Sequence, residues 1–202
     1  DAFSRMLLCC EILPRPDHAH ARPAFERIFR EYGMGPAIRT DNGTPFASVG
    51  VGGLSPLSAW WVKLGIIPER IDPGHPEQNG RHERMHRTLK QDTMCPPAAT
   101  PEAQQQRCDD FRVMYNTKRP HEALGQVPPA SRFVSSPRPY PNRLGDLKYP
   151  TLTQVRRVRS NGQIKWRGGL VFISESLVGE LVGITEYNDA WCVSFGPIPL
   201  GL

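Results

Sequence analysis

Between Phe133 and Pro150 the chain changes character, and that change limits the folds open to it more than any other feature. Pro137, Pro139, Pro141 and Pro150 lie there among Ser, Arg and Asn. Proline fixes φ and withholds a backbone donor, so residues 136–150 read as a linker. Before it, strands alternate with helices. Residues 6–13 form an apolar-rich run between Arg5 and Pro14, the pattern of a buried strand. Phe25, Ile28, Phe29 and Tyr32 then recur at helical spacing and stop at Gly33. A short strand over 36–40 runs into Asp41-Asn42-Gly43, followed by a short helix over 57–64 and an extended piece over 66–71. Pro76 can open a helix reaching Met94. Another follows Pro101, with Cys108, Phe111, Met114 and Tyr115 inward. Alternation of this kind predicts an α/β layer architecture.

After the linker the pattern is β only, with strands predicted over 155–159, 163–166, 170–173, 181–187 and 191–195. Asn161-Gly162 is a strong hairpin signal, because both residues tolerate positive φ. Trp191, Val193 and Phe195 alternate with Cys192 and Ser194 as in a half-buried strand. Five short strands in succession predict a small barrel. Trp60 and Trp61 read as core and surface packing residues rather than base-stacking ones.

Hydrophobic residues make up 39% of 202 and are broken everywhere by charge, so no run is long enough for a membrane-spanning helix. Five cysteines, odd in number and without a CxxC pair, argue against a disulfide framework and a cysteine zinc site, and fit a reducing cytoplasm. The sequence opens on Asp1 without signal-peptide character, and is expected to be a fragment. A net charge of +5 favours a polyanionic partner, since clustered Lys and Arg displace counterions from a phosphate backbone.

Asp41 stands where a predicted strand ends, the place where α/β sheets gather reactive groups, although Asp-Asn-Gly is also an ordinary turn. Glu77 falls in the first turn of a predicted helix, where the helix dipole alone would favour a carboxylate. Taken together they say more, because 35 residues separate them and each sits in a specific string. Thr40-Asp41-Asn42-Gly43, His75-Pro76-Glu77-Gln78-Asn79-Gly80-Arg81 and Glu83-Arg84-Met85-His86-Arg87-Thr88-Leu89-Lys90 resemble the retroviral-integrase-like superfamily, especially bacterial insertion-sequence transposases. Tyr115-Asn116, Arg119-Pro120-His121-Glu122-Ala123-Leu124 and Pro129-Ala130-Ser131-Arg132-Phe133 extend the likeness over about residues 1–135. Beyond the linker, 151–202 is similar to the small SH3-like barrels appended to such enzymes.

The resemblance implies an RNase H-like catalytic core over 1–135 followed by the small all-β barrel. It also implies an Asp, Asp, Glu triad holding two Mg²⁺ or Mn²⁺ ions, of which Asp41 and Glu77 would be two members. Phosphodiester displacement needs hard oxygen ligands that clamp two cations about 3.5–4 Å apart. The implied reaction is cleavage at a transposon end and strand transfer into target DNA during transposition. Asp1-Ala2-Phe3-Ser4-Arg5 looks like the string that opens the family's second strand. The first strand and the first catalytic aspartate are therefore expected to be missing, and the chain alone to be inactive. The alternative is a catalytically inactive DNA-binding transposase remnant. A cytoplasmic, bacterial, nucleoid-associated protein that forms a homo-oligomer on DNA is expected.

Arg81 and Arg84 share roughly one face with Glu77 and are expected to grip phosphates, and Gly80 would let the backbone approach DNA. A solvated face with Glu83 and Arg87 paired at i, i+4 competes with that reading. Arg156, Arg157 and Lys165, with Arg159 and Arg167 nearby, concentrate around the first hairpin of the β region and form a second expected DNA face. His82-Glu83-Arg84-Met85-His86 also matches HExxH, the zinc-protease signature. Its basic flanks oppose a dication, and no third ligand follows in a known pattern.

Overall fold

The computed structural model describes residues 1–48, 51–72 and 80–201, with Arg81 described for its backbone only. These separate into two compact units that interleave in sequence. The first takes Asp1–Met34 and Gly74–Tyr140, the second Gly35–Pro73 and Pro141–Leu202.

The first unit is helical. Helix α1 (His18–Tyr32) begins on Asp17, whose side chain accepts from the His20 N–H, and buries Phe29. It ends at Gly33, whose φ of 75° suits glycine and where a Cβ would strike the Ser136 carbonyl. Helix α3 (Gly80–Met94) lies against α4 (Pro101–Thr117). The proposed start of α3 at Pro76 falls outside the described residues. Thr100 caps α4 and Pro101 occupies its first turn, while Cys108, Phe111, Tyr115 and Asn116 face inward.

Residues 6–13 are extended but form no strand, which corrects the sequence expectation. Their backbone is claimed by side-chain amides of α4 instead. Asn116 accepts from the Leu7 N–H through Oδ1 and donates to the Leu7 carbonyl through Nδ2, both at 2.9 Å. Gln105 accepts from Ile12 N at 3.0 Å and donates to the Cys10 carbonyl at 2.9 Å. The match is metric. Eleven helical residues and five extended ones both span about 16 Å, so the segment runs antiparallel along α4 with an amide at each end.

The start of the expected linker, up to Tyr140, belongs to this unit as a strap. Ser136 N–H donates to the Tyr32 carbonyl and Met34 N–H to the Arg138 carbonyl, each at 2.8 Å. Tyr140 stacks on Phe29 and carries the Arg30 guanidinium 4.9 Å from its ring centre. Composition marks these residues as irregular, and irregular they are, but they are tied down.

In the second unit β1 (Ala37–Thr40) and β2 (Ile67–Arg70) are parallel, with α2 (Pro56–Lys63) as the crossover. Ser55 and Ser58 form a reciprocal capping box at the start of α2, and Trp60 and Trp61 are both buried. Strands β3 (Gln154–Arg157), β6 (Leu181–Tyr187), β7 (Ala190–Phe195) and β8 (Ile198–Gly201) form an antiparallel sheet in that order. Strands β4 (Gln163–Trp166) and β5 (Gly169–Phe172) make a separate hairpin. The sequence reading missed β8, whose Pro199 sits at the sheet edge where a missing donor is tolerated. Gly162 takes φ 75°, as the Asn-Gly turn required.

One apolar cluster joins α2 to the β region, with Leu54, Ala59 and Val62 packed among Ile164, Leu177, Val182, Ile184, Phe195 and Leu200. Lys63 and Glu180 close an ion pair at 2.8 Å over it. The α2 segment therefore shares its core with residues beyond the linker.

Candidate metal centre and nucleic-acid interface

Asp41 directly follows the last residue of β1 and is exposed. Its Oδ1 accepts the Gly43 N–H at 3.0 Å, closing an Asx turn, and Asn42 Nδ2 donates to the Ile71 carbonyl at 3.1 Å. The turn thus fixes the carboxylate with one oxygen and leaves Oδ2 without a hydrogen bond among the described residues. A hard oxygen held at the carboxyl end of a parallel strand suits a divalent cation.

Glu77 lies outside the described residues, as do residues 73–76 before it and the Arg81 side chain. Among the described residues no group of three or more His, Cys, Asp or Glu could hold a metal ion. Asp1 is occupied locally: its Oδ2 accepts from the N–H groups of Phe3 and Ser4 and from the Ser4 hydroxyl, at 2.9–3.1 Å. His82 and His86 bring their rings to 4.1 Å, as HExxH spacing on a helix demands, and both are exposed. No third ligand joins them among the described residues.

Arg84 is exposed on α3, and no hydrogen bond or ion pair holds its guanidinium among the described residues. Glu83 and Arg87 do not pair with each other there, so the competing solvated ion pair does not form. Of the second basic group, Lys165 is exposed on β4. Arg156 is already engaged: it donates to the Val155 carbonyl and to Gln154 Oε1, and its guanidinium lies 5.4 Å from the Trp166 ring centre. Arg157 donates to the Gly179 carbonyl and faces Asp146 at 3.6 Å. Trp166, Gly179 and Asp146 come from other segments of the chain, and no local signal announces them.

His121, in the string Arg119 to Leu124, packs edge-on against Tyr115 at 4.9 Å. Its Nε2 is buried without a hydrogen-bond partner among the described residues. Burial first, then the Arg119 and Arg5 charges, push its pKa below the usual imidazole range. It reads as a neutral packing residue.

In comparison with known proteins, a family model described as integrase core domain matches residues 64–129. The insertion element IS476 uncharacterized 39.2 kDa protein of Xanthomonas euvesicatoria is 35% identical over 95 residues, which is 46% of this chain and 26% of that protein. The chain thus spans about a quarter of that curated relative's length. Among solved structures, a chain of a simian T-cell lymphotropic virus intasome in complex with PP2A regulatory subunit B56 gamma is similar over 93% of this chain and 64% of its own, at 16% identity and a TM-score of 0.46. No helix of the described residues is long and apolar enough to cross a membrane. Over residues 64–129, then, the chain is similar to the integrase core domain family.

Proposed function

We propose that this protein acts in DNA transposition, as a divalent-metal-dependent enzyme of DNA end cleavage and strand transfer. The observation that carries the reading is the integrase core match over 64–129, which contains α3 and α4. The position of Asp41, with one carboxylate oxygen uncommitted, supports it. Asp41 and Glu77 are the proposed metal ligands. Bound Mg²⁺ or Mn²⁺ would supply Lewis-acid activation of the attacking and leaving oxygens. The chain's own contribution is to hold Asp41 in one rotamer through the Gly43 N–H and to set cationic side chains for phosphate. Arg84 and Lys165 are the available cations, and Arg81, Arg156 and Arg157 complete the proposed set. An RNase H-like core over 1–135, a linker over 136–150 and a small SH3-like domain over 151–202 is the layout this reading implies, working as a homo-oligomer on DNA in a bacterial cytoplasm.

The test, made in a protein that also carries the first strand and its aspartate, is strand transfer from a transposon-end duplex into supercoiled plasmid with Mn²⁺, with DNA binding measured in parallel. Glu77→Gln and Asp41→Asn are expected to abolish cleavage and joining while retaining duplex affinity, because each removes a ligand's charge and leaves the basic grip. Cleavage by either variant at the wild-type rate would contradict the assignment. Binding without cleavage by every protein, wild type included, would favour a DNA-binding remnant.

A further inference from the structure

The β4–β5 hairpin turns through Arg167 and Gly168, with Trp166 paired to Gly169 across the two-residue loop. Arg167 has φ 46° and Gly168 φ 87°. Two positive φ values in a two-residue hairpin define a turn that prefers Asn, Asp or Gly at its first position. The neighbouring β6–β7 turn follows that preference, with Asn188 at φ 49° and Asp189 at φ 60°. Arginine at this position is against local propensity.

Its side chain is placed as unusually as its backbone. The Arg167 guanidinium lies 4.5 Å from the centre of the Trp191 ring. Trp191 meets Trp166 edge to face at 5.0 Å, and Arg156 covers Trp166. The four side chains form a ladder in the order Arg156, Trp166, Trp191, Arg167. The two arginines differ in one respect. Arg156 spends N–H groups on the Val155 carbonyl and Gln154. Arg167 is exposed, and none of its five N–H donors is taken by a hydrogen bond or ion pair among the described residues.

A guanidinium held over an indole face by cation–π attraction has less rotamer freedom left to lose on binding, and its N–H donors stay available to an anion. Local backbone strain retained at an exposed, preorganised cation points from the observed outlier to a binding role. We propose that Arg167 is a phosphate-binding residue, which uses the Trp191 platform to present its donor edge to the backbone of DNA. A phosphodiester fits better than a carboxylate partner because Lys165 is exposed on the same hairpin and the chain carries net charge +5. Asp189 and Glu186, on the adjacent hairpin, would repel an anionic chain there and so confine it to the Arg167 side. The proposal rests on the DNA-binding reading above.

Arg167→Gly separates binding from folding, because glycine is favoured at this turn position. In the full chain it is expected to keep or raise the melting temperature. It should nonetheless weaken binding to a short duplex about five- to tenfold at low salt and reduce the slope of log K against log salt by about 1. Arg167→Lys should recover the slope and only part of the affinity, since the charge remains and the stacked fork is lost. Trp191→Leu should weaken binding with the slope kept. Equal affinity and slope for wild type and Arg167→Gly would overturn the assignment of Arg167 while leaving the DNA-binding reading intact. Absence of duplex binding by the wild type would overturn both.

Discussion

Replacing Asn116 by alanine tests whether a side-chain amide stands in for a strand partner. Asn116 is 4% exposed, and its amide satisfies both backbone groups of Leu7 at 2.9 Å. Each such bond contributes a net ~0.5–1.5 kcal/mol, and a buried group left unpaired costs ~1–3 kcal/mol. Leu7 is half-buried, so water recovers part of the loss, and Asn116→Ala should cost about 2–3 kcal/mol, a fall in melting temperature of about 5–10 °C. Amide hydrogen exchange should show Leu7 and its neighbours losing protection ahead of α4. Asn116→Asp supplies a sharper signature. One carboxylate oxygen can still accept from the Leu7 N–H, but the other faces the Leu7 carbonyl, and only the protonated acid can donate to it. The carboxyl pKa should therefore rise on folding, so that stability is greatest below the ordinary aspartate range near pH 4 and is lost as pH climbs through the raised value. An alanine variant with wild-type melting temperature and wild-type Leu7 exchange would refute the reasoning.

Phe195, fully buried in the core shared by α2 and the β region, should cost about 3–5 kcal/mol when cut to alanine, measured by urea unfolding. If the shared core is real, fluorescence of Trp60 and Trp61 should report the same transition as the β-sheet circular dichroism. Arg84→Ala should lower duplex affinity and reduce the salt slope by about 1, read by fluorescence anisotropy across a salt series. An unchanged slope would return Arg84 to a solvated face. His121 has a pKa depressed by burial and by Arg119 and Arg5, so the unfolded chain binds its proton more tightly than the folded one. Its contribution to stability is complete above the ordinary imidazole value near 6.5 and falls as pH drops below it. His121→Gln should flatten that part of the stability profile.

What the sequence made legible follows from local periodicity. The Phe25 to Tyr32 stripe, the Asn161-Gly162 turn and the inward set Cys108, Phe111 and Tyr115 are each determined within a few residues, and each has the expected form. Residues 6–13 look like a strand because their apolar run is right for one. Whether an extended segment becomes a strand depends on its hydrogen-bond partners, and these sit on α4, 109 residues from Leu7. The joining of Leu54, Ala59 and Val62 to Phe195 and Leu200 is equally nonlocal. At the candidate site, Asp41 was legible because strand end and turn are both local signals. The capture of Arg157 by Asp146 and of Arg156 by Trp166 was not, because both depend on how distant segments pack.

The central claim, that Asp41 and Glu77 serve one metal-dependent centre, is met most directly by titrating Mn²⁺ into the protein in the presence of duplex DNA and following free Mn²⁺ by electron paramagnetic resonance. Wild type should take up Mn²⁺, and Asp41→Asn and Glu77→Gln should each weaken that uptake by about tenfold or more, equivalent to ~1.4 kcal/mol or more. The double variant should bind no more weakly than the weaker single one, because two ligands of one ion are not additive. Duplex affinity in EDTA should be the same for all four proteins. Wild-type Mn²⁺ uptake by either single variant would contradict the account.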